Sequence, residues 1–197
     1  MGTRIVLVPI VAAIVAAMST YYIRTRPNQD SDARPAGHMT KLHTGDEIVA
    51  VFIGSSTCGA TRRSGLPAAW DSLAKELASQ ATARGESFTT VGVAVDWDPV
   101  VGIKFLTGFS RFDEVSAGNN WLNMGAVQYI WRGVPGLPSV PQVLVIERHV
   151  TEGTTTMDVG SDHLLARRVG WKEIMDWTQR GGRVQAQDTT LQSRRSL

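Results

Sequence analysis

The spacing of hydrophobic and polar positions predicts a folded domain in which short strands alternate with helices. Runs of apolar residues predict strands, which lie at 48–53, 88–95 and 140–147, with a hairpin partner at 154–159. Apolar residues at every third or fourth position predict helices, which lie at 61–83, 100–109 and 170–180. Pro67 interrupts the first helix, so we expect a kink or a later start there. The alternation of the two patterns predicts an α/β fold.

These elements define a domain that we expect over residues 47–181. Within it, glycines and tryptophans interrupt the regular pattern, and we expect an insertion at about 113–138 that holds a short strand and a helix. Polar residues with several prolines and glycines precede the domain at 24–46 and predict a tether. A polar C-terminal tail is expected at 182–197.

A different pattern occupies the N-terminus, where residues 5–23 include no charged residue. A helix rises about 1.5 Å per residue, so a stretch of about 19 residues just crosses the hydrocarbon core of a bilayer. The aromatic and basic residues that would anchor its end at the membrane surface are Tyr21, Tyr22, Arg24 and Arg26. We therefore expect one uncleaved transmembrane anchor at 1–23, and a cleaved signal peptide is the alternative.

The composition argues against several classes of function. The formal net charge of +2 is too small to indicate a nucleic-acid partner. The chain has one cysteine, which rules out an internal disulfide, and its four histidines lack the close spacing of zinc ligands. We therefore expect neither a bound metal nor a cofactor.

The cysteine is the residue most able to carry chemistry. Cys58 follows a predicted strand and a run of small polar residues, and it lies where the first helix is expected to begin. The partial positive charge of a helix N-terminus favours a thiolate. A second cysteine three residues later would make a dithiol redox centre, but that position is Thr61. Asp96 and Asp98, which follow the second strand, are interpreted as capping groups of a turn.

Three local motifs in this order resemble those of membrane-tethered thioredoxin-like proteins. They are the segment 55–61 around the cysteine, the strand 91–96 with Pro99, and Val140 with Pro141 at the head of a strand. The resemblance implies a mixed sheet flanked by helices over residues 47–181. It also implies that Pro141 follows a cis peptide bond and faces Cys58.

The chain departs from the pattern of this family at the positions that carry its redox chemistry. The resolving cysteine corresponds to Thr61, and the proline that usually lies between the two cysteines corresponds to Ala60. The buried carboxylate that relays protons corresponds to Phe52, and the tryptophan common before the first cysteine corresponds to Thr57. Because a dithiol reductase releases its target with the second thiol, the isolated chain cannot complete that cycle.

Two functions follow, and we favour the first. In the first, we expect the domain to be an accessory or scaffold subunit that binds other subunits of a membrane protein complex, such as a respiratory or photosynthetic one. The alternative is a monothiol oxidoreductase, in which Cys58 and Thr61 are catalytic and an external thiol resolves the mixed disulfide. The residues expected to bind a partner or substrate are Thr57, Val140, Pro141, Trp121 and Trp131.

The expected location is a bacterial-type inner or plasma membrane, crossed once. More lysines and arginines follow the span than precede it, which favours a cytoplasmic domain. The family likeness favours an extracytoplasmic domain instead, and we follow that likeness.

Overall fold

The computed structural model describes residues 44–152, 157–160 and 162–184. The predicted anchor with its tyrosines and arginines lies outside these residues, as do most of the tether and of the tail. Among the described residues, no helix is long and apolar enough to cross a membrane.

The described strands form one mixed sheet. They are β1 (Gly45–Gly54), β2 (Ser87–Ala94), β3 (Glu114–Ala117), β4 (Gln142–Glu152), β5 (Met157–Val159) and β6 (His163–Val169). The order across the sheet is β3-β2-β1-β4-β5, and β6 also pairs with β4. β1, β2 and β3 are parallel, whereas β4 is antiparallel to β1, β5 and β6. The predicted α/β fold with a mixed sheet is confirmed.

The helices begin and end at residues that explain their bounds. They are α1 (Leu66–Arg84), α2 (Pro99–Phe109), α3 (Met124–Ala126) and α4 (Trp171–Gln179). A π-helical segment (Val127–Arg132) continues α3. Gly65, with φ 91°, precedes α1 in a left-handed conformation, and Pro67 lies in the first turn. The helix therefore starts after residue 61, which confirms the later start rather than the kink.

Helices cover both sides of the sheet. Successive residues of a strand point to opposite sides. The even-numbered residues of 48–52 pack with buried side chains of α1, α2 and α4. The odd-numbered residues of 49–53 pack with α3 and the π-helical segment. The insertion therefore completes the core on one side of the sheet, and it contains the short strand β3 and a helix, as the pattern predicts.

The strand β6 is not predicted by the hydrophobic pattern. Arg167 and Arg168 interrupt its apolar run, although the Arg167 side chain is buried. β6 pairs with the first half of β4, on the edge opposite to β1, whereas the predicted hairpin partner contributes only β5 farther along β4. Residues 153–156 of that predicted strand lie outside the described residues.

Candidate thiol site

Cys58 lies in the turn that connects β1 to α1. Its backbone N–H donates to the carbonyl oxygen of Ser55 at 3.3 Å, and its carbonyl oxygen accepts from the N–H of Arg62 at 3.2 Å. The helix α1 begins only at Leu66. The expectation that Cys58 lies at a helix N-terminus is therefore wrong, because Gly65 and Pro67 delay the start of α1.

The turn nevertheless favours the thiolate, for a different reason. Burial raises the pKa of the Cys58 thiol, but the nearby Thr61 hydroxyl and the N–H groups of Thr61 and Ala60 lower it because they can donate to a thiolate, and the net pKa is lowered. The thiol is partly exposed. Local donors therefore supply the stabilisation that was expected from the helix dipole, and a reagent can reach the sulfur.

Thr61 lies beside the sulfur with its hydroxyl in a buried position. The residue is 1% exposed. A Cβ atom on Gly54 would lie 2.9 Å from the Thr61 methyl group, so this methyl packs against the end of β1. The hydroxyl forms no well-aligned hydrogen bond with any described residue. The Thr61 hydroxyl is therefore available to donate a hydrogen bond to the sulfur when Cys58 is a thiolate.

The peptide group before Pro141 faces Cys58 from the head of β4. Cys58 Sγ donates to the carbonyl oxygen of Val140 at 3.5 Å. The Val140–Pro141 bond is cis, which is the conformation that the resemblance implies. Pro141 is buried, and its carbonyl oxygen accepts from the N–H of Gly170 at 2.8 Å. The fold thus brings Cys58, Thr61 and Val140 together from two distant parts of the chain.

Asp96 holds the turn that precedes Cys58. Its buried carboxylate accepts from the Ser56 hydroxyl at 2.6 Å, from the Ser56 N–H at 3.2 Å and from the Ser55 hydroxyl at 3.2 Å. Asp98, by contrast, caps α2 by accepting from the N–H of Val100 at 2.8 Å. The sequence predicts a capping role for both aspartates, but it does not predict that Asp96 reaches the turn that contains Cys58. The signal was the parallel pairing of β1 and β2, which places the residues after both strands at one edge of the sheet.

The other predicted site residues lie at or near the same edge. Thr57 is exposed, and its N–H donates to the Ser55 hydroxyl at 3.3 Å. Trp131 donates its indole N–H to the carbonyl oxygen of Trp121 at 2.8 Å, so the two tryptophans stabilise the insertion. Trp121 and Val140 both pack, partly buried, against the core on the insertion side of the sheet.

Phe52 has a structural role in place of the carboxylate that the resemblance implies. It is fully buried, and its ring stacks on that of Phe109 with centroids 4.2 Å apart. Trp70 and Phe112 complete this aromatic cluster. The position therefore offers no proton to the sulfur. In the described ranges, no group of three or more His, Cys, Asp or Glu residues could hold a metal ion.

Comparisons with known proteins assign no family to this chain. No family model, no curated protein and no solved structure matches it. Function is therefore inferred from the geometry around Cys58.

Proposed function

We propose that the domain is thioredoxin-like and acts through Cys58 as a monothiol in thiol–disulfide exchange. The order of elements supports a thioredoxin-like domain. Along the chain it is β1, the turn that contains Cys58, α1, β2, α2, then Pro141 before β4, a further strand and a helix. This is the order that the resemblance implies. The cis bond before Pro141 and the contact of Val140 with Cys58 agree with it.

The observation that carries the second part is the setting of the sulfur. Cys58 is partly exposed, its pKa is lowered, and the donors that lower it include the hydroxyl at the position of the missing second cysteine. A residue with only a packing role needs none of these properties. Reactive cysteines are accessible and have lowered pKa values, whereas structural cysteines are buried and inert.

The exchange proceeds in two balanced steps. The Cys58 thiolate attacks one sulfur of a disulfide, forms a new S–S bond and releases the other half as a thiolate. An external thiolate then attacks this mixed disulfide, forms the product disulfide and restores the Cys58 thiolate. The net reaction moves one half of the disulfide to the external thiol, and Cys58 is unchanged. Thr61 donates to the thiolate at the start and at the end.

The test is the reactivity of the purified full chain. The pH dependence of alkylation gives the pKa of Cys58, and incubation with oxidised glutathione followed by mass spectrometry detects the mixed disulfide. We expect a pKa below the ordinary value of about 8.5, rapid formation of the adduct and its release by added thiol. Cys58→Ser is the control and forms no adduct. An ordinary pKa together with slow labelling would contradict the proposal.

A second role, as a partner-binding subunit of a membrane complex, is favoured by the surface of the insertion. Its large apolar side chains are highly exposed: Leu122 by 72%, Met124 by 78%, Trp131 by 47% and Leu137 by 72%. Several exposed apolar side chains on one segment are typical of sites that bind other proteins. A membrane anchor at 1–23 and an extracytoplasmic domain remain part of this proposal.

The partner-binding role has its own test. The tagged full chain is purified from native membranes in mild detergent, and co-purified proteins are quantified. We expect stoichiometric partners that are lost when Leu122 and Met124 are both replaced by serine. The control is the same double change at Val100 and Ile103 on α2, two apolar residues that are also exposed. Recovery of the unaltered chain only as a free monomer would overturn this role.

A further inference from the structure

Residues 134–140 lead from the π-helical segment to β4 and carry the carbonyl oxygen that faces Cys58. Gln142, the second residue after Val140, has a fully buried side chain. Its Nε2 donates to the carbonyl oxygen of Leu137 at 2.6 Å and to that of Ser139. A buried amide that donates both of its hydrogens is fully satisfied as a donor. Gln142 therefore fixes this segment at two points.

Arg167 on β6 also contacts this segment, and it contacts Gln142. Its side chain donates to the carbonyl oxygen of Val134, to that of Tyr129 at 3.3 Å and to Gln142 Oε1 at 3.3 Å. Arg167 is 7% exposed, and burial lowers its pKa. Within the part of the chain that the structure describes, no carboxylate forms an ion pair with it. A buried cation bound only to neutral oxygens is costly, so the position of the guanidinium group depends on these three contacts.

Gly136 shows how closely the segment fits against Arg167. A Cβ atom at this position would lie 1.6 Å from Nη1 of Arg167. The N–H of Gly136 donates to the carbonyl oxygen of Ile130 at 3.0 Å, which fixes the backbone there. Any side chain at residue 136 must therefore move either the segment or the guanidinium group.

We propose that Gln142 and Arg167 are positioning residues, which fix residues 134–140 and so hold the Val140 carbonyl oxygen against the Cys58 thiol, favouring its protonated form. A carbonyl oxygen can accept a hydrogen bond from S–H but not from a thiolate. The donors of Ala60 and Thr61 have the opposite effect and favour the thiolate. The position of one backbone oxygen thus limits how acidic the thiol becomes. This inference rests on the proposed function, in which Cys58 is the reacting group.

Charged groups around the site do not provide the same control. The charged residues on the elements next to the thiol include Arg62 and Arg63 in the turn, Asp96 after β2, and Arg167 and Arg168 on β6. Arg63 lies over the ring of Trp171, 5.2 Å from its centroid. The pKa of Cys58 is shifted by burial and by hydrogen bonds. The variants chosen as tests keep the number and sign of all of these charges.

The experiment measures the Cys58 pKa in two variants of the full chain, from the pH dependence of alkylation. Gln142→Met removes both donors at similar length, and Gly136→Ala disturbs the contact between the segment and the Arg167 guanidinium group while both polar side chains remain. We expect each to lower the pKa by about half a unit, roughly threefold in the ionisation equilibrium, which is the size of one weak neutral hydrogen bond. The control for Gly136→Ala is Gly108→Ala, because a Cβ atom at Gly108 meets nothing within 4 Å.

A matched control separates this effect from loss of stability. Arg148→Met removes the hydrogen bond of Arg148 to Glu47, 2.7 Å long, near the other end of β4, and is expected to reduce stability without changing the Cys58 pKa. Local unfolding would move the pKa up, toward its ordinary value, so a fall is diagnostic. An unchanged or raised pKa in Gly136→Ala, with the fold retained by circular dichroism, would overturn the inference. Alkylation needs no disulfide turnover, so failure of the proposed function gives a different result.

Discussion

Replacing Thr61 with valine removes the hydroxyl beside Cys58 and keeps the shape of the side chain. Thr61 is 1% exposed, and its methyl group packs against Gly54, so the packing of the turn is retained. Three donors lower the pKa of Cys58: the Thr61 hydroxyl and the N–H groups of Thr61 and Ala60. Only the hydroxyl is lost, so the pKa is expected to rise.

The size of the rise follows from the strength of a hydrogen bond to a charged acceptor. Such a bond contributes about 1.5–3 kcal/mol, which corresponds to about 1–2 pKa units. The sulfur is partly exposed, and solvent weakens its interactions, so we expect a rise of about 1 unit.

In the thiol form, however, the hydroxyl of Thr61 lacks a well-aligned partner. An unsatisfied buried hydroxyl costs about 1–3 kcal/mol, so Thr61→Val is expected to be the more stable protein when Cys58 is protonated.

Two measurements check this prediction in Thr61→Val and in the unaltered chain. Alkylation rates across pH give the thiol pKa, and chemical denaturation at several pH values gives the free energy of unfolding. Because the folded pKa of Cys58 is lowered, ionisation adds stability as pH rises through the folded value, and this gain is lost as pH falls through it. The stability advantage of valine should therefore shrink with rising pH. A thiol pKa that stays unchanged or falls in Thr61→Val would refute the reasoning.

Three further substitutions test other parts of the site. Thr61→Cys places a second sulfur beside the first and is expected to give the chain dithiol reductase activity. The assay is the reduction of insulin disulfides. Adding Cys58→Ser to this variant is expected to abolish the activity. Phe52→Ala empties the centre of the aromatic cluster and is expected to cost about 3–5 kcal/mol, measured by urea denaturation; a cost below 1 kcal/mol would contradict this core position. Asp96→Asn weakens the hydrogen bonds to Ser55 and Ser56 and is expected to lower the free energy of unfolding by about 1–3 kcal/mol. It is also expected to change the alkylation rate of Cys58. An unaltered rate would argue against the role of Asp96 in the turn.

The regular elements were predictable wherever burial gives a clear pattern. Strands β1, β2 and β4 are buried on both sides of the sheet, so their apolar runs are continuous and easy to recognise. The strand β6 was missed because it contains a buried arginine. Its burial depends on the oxygens of residues 129, 134 and 142, which are distant in sequence. Local periodicity carries no information about such a contact.

The site was predictable in its residues but not in its geometry. The motif around Cys58 and the Val140–Pro141 pair were found from the order of motifs, and the fold brings them together. The cause of the thiolate preference was predicted wrongly, because one left-handed glycine delays the helix. Asp96 and Gln142 act on backbone groups of other segments. A sequence does not reveal which backbone group a polar side chain will reach once the sheet has formed.

The neighbours of Cys58 determine which chemistry the thiol can complete. Phe52 offers no proton, and Thr61 offers a hydrogen bond but no sulfur, so in the proposed exchange Cys58 begins a reaction that a second molecule must finish. That molecule has to bring its thiol to the exposed side of the turn and remain there long enough to react. We propose that a protein docked on the exposed apolar side chains of the insertion meets both needs, since Trp121 of the insertion and Val140 pack against the same core cluster. The two proposed roles are therefore compatible, because the bound partner can itself supply the resolving thiol.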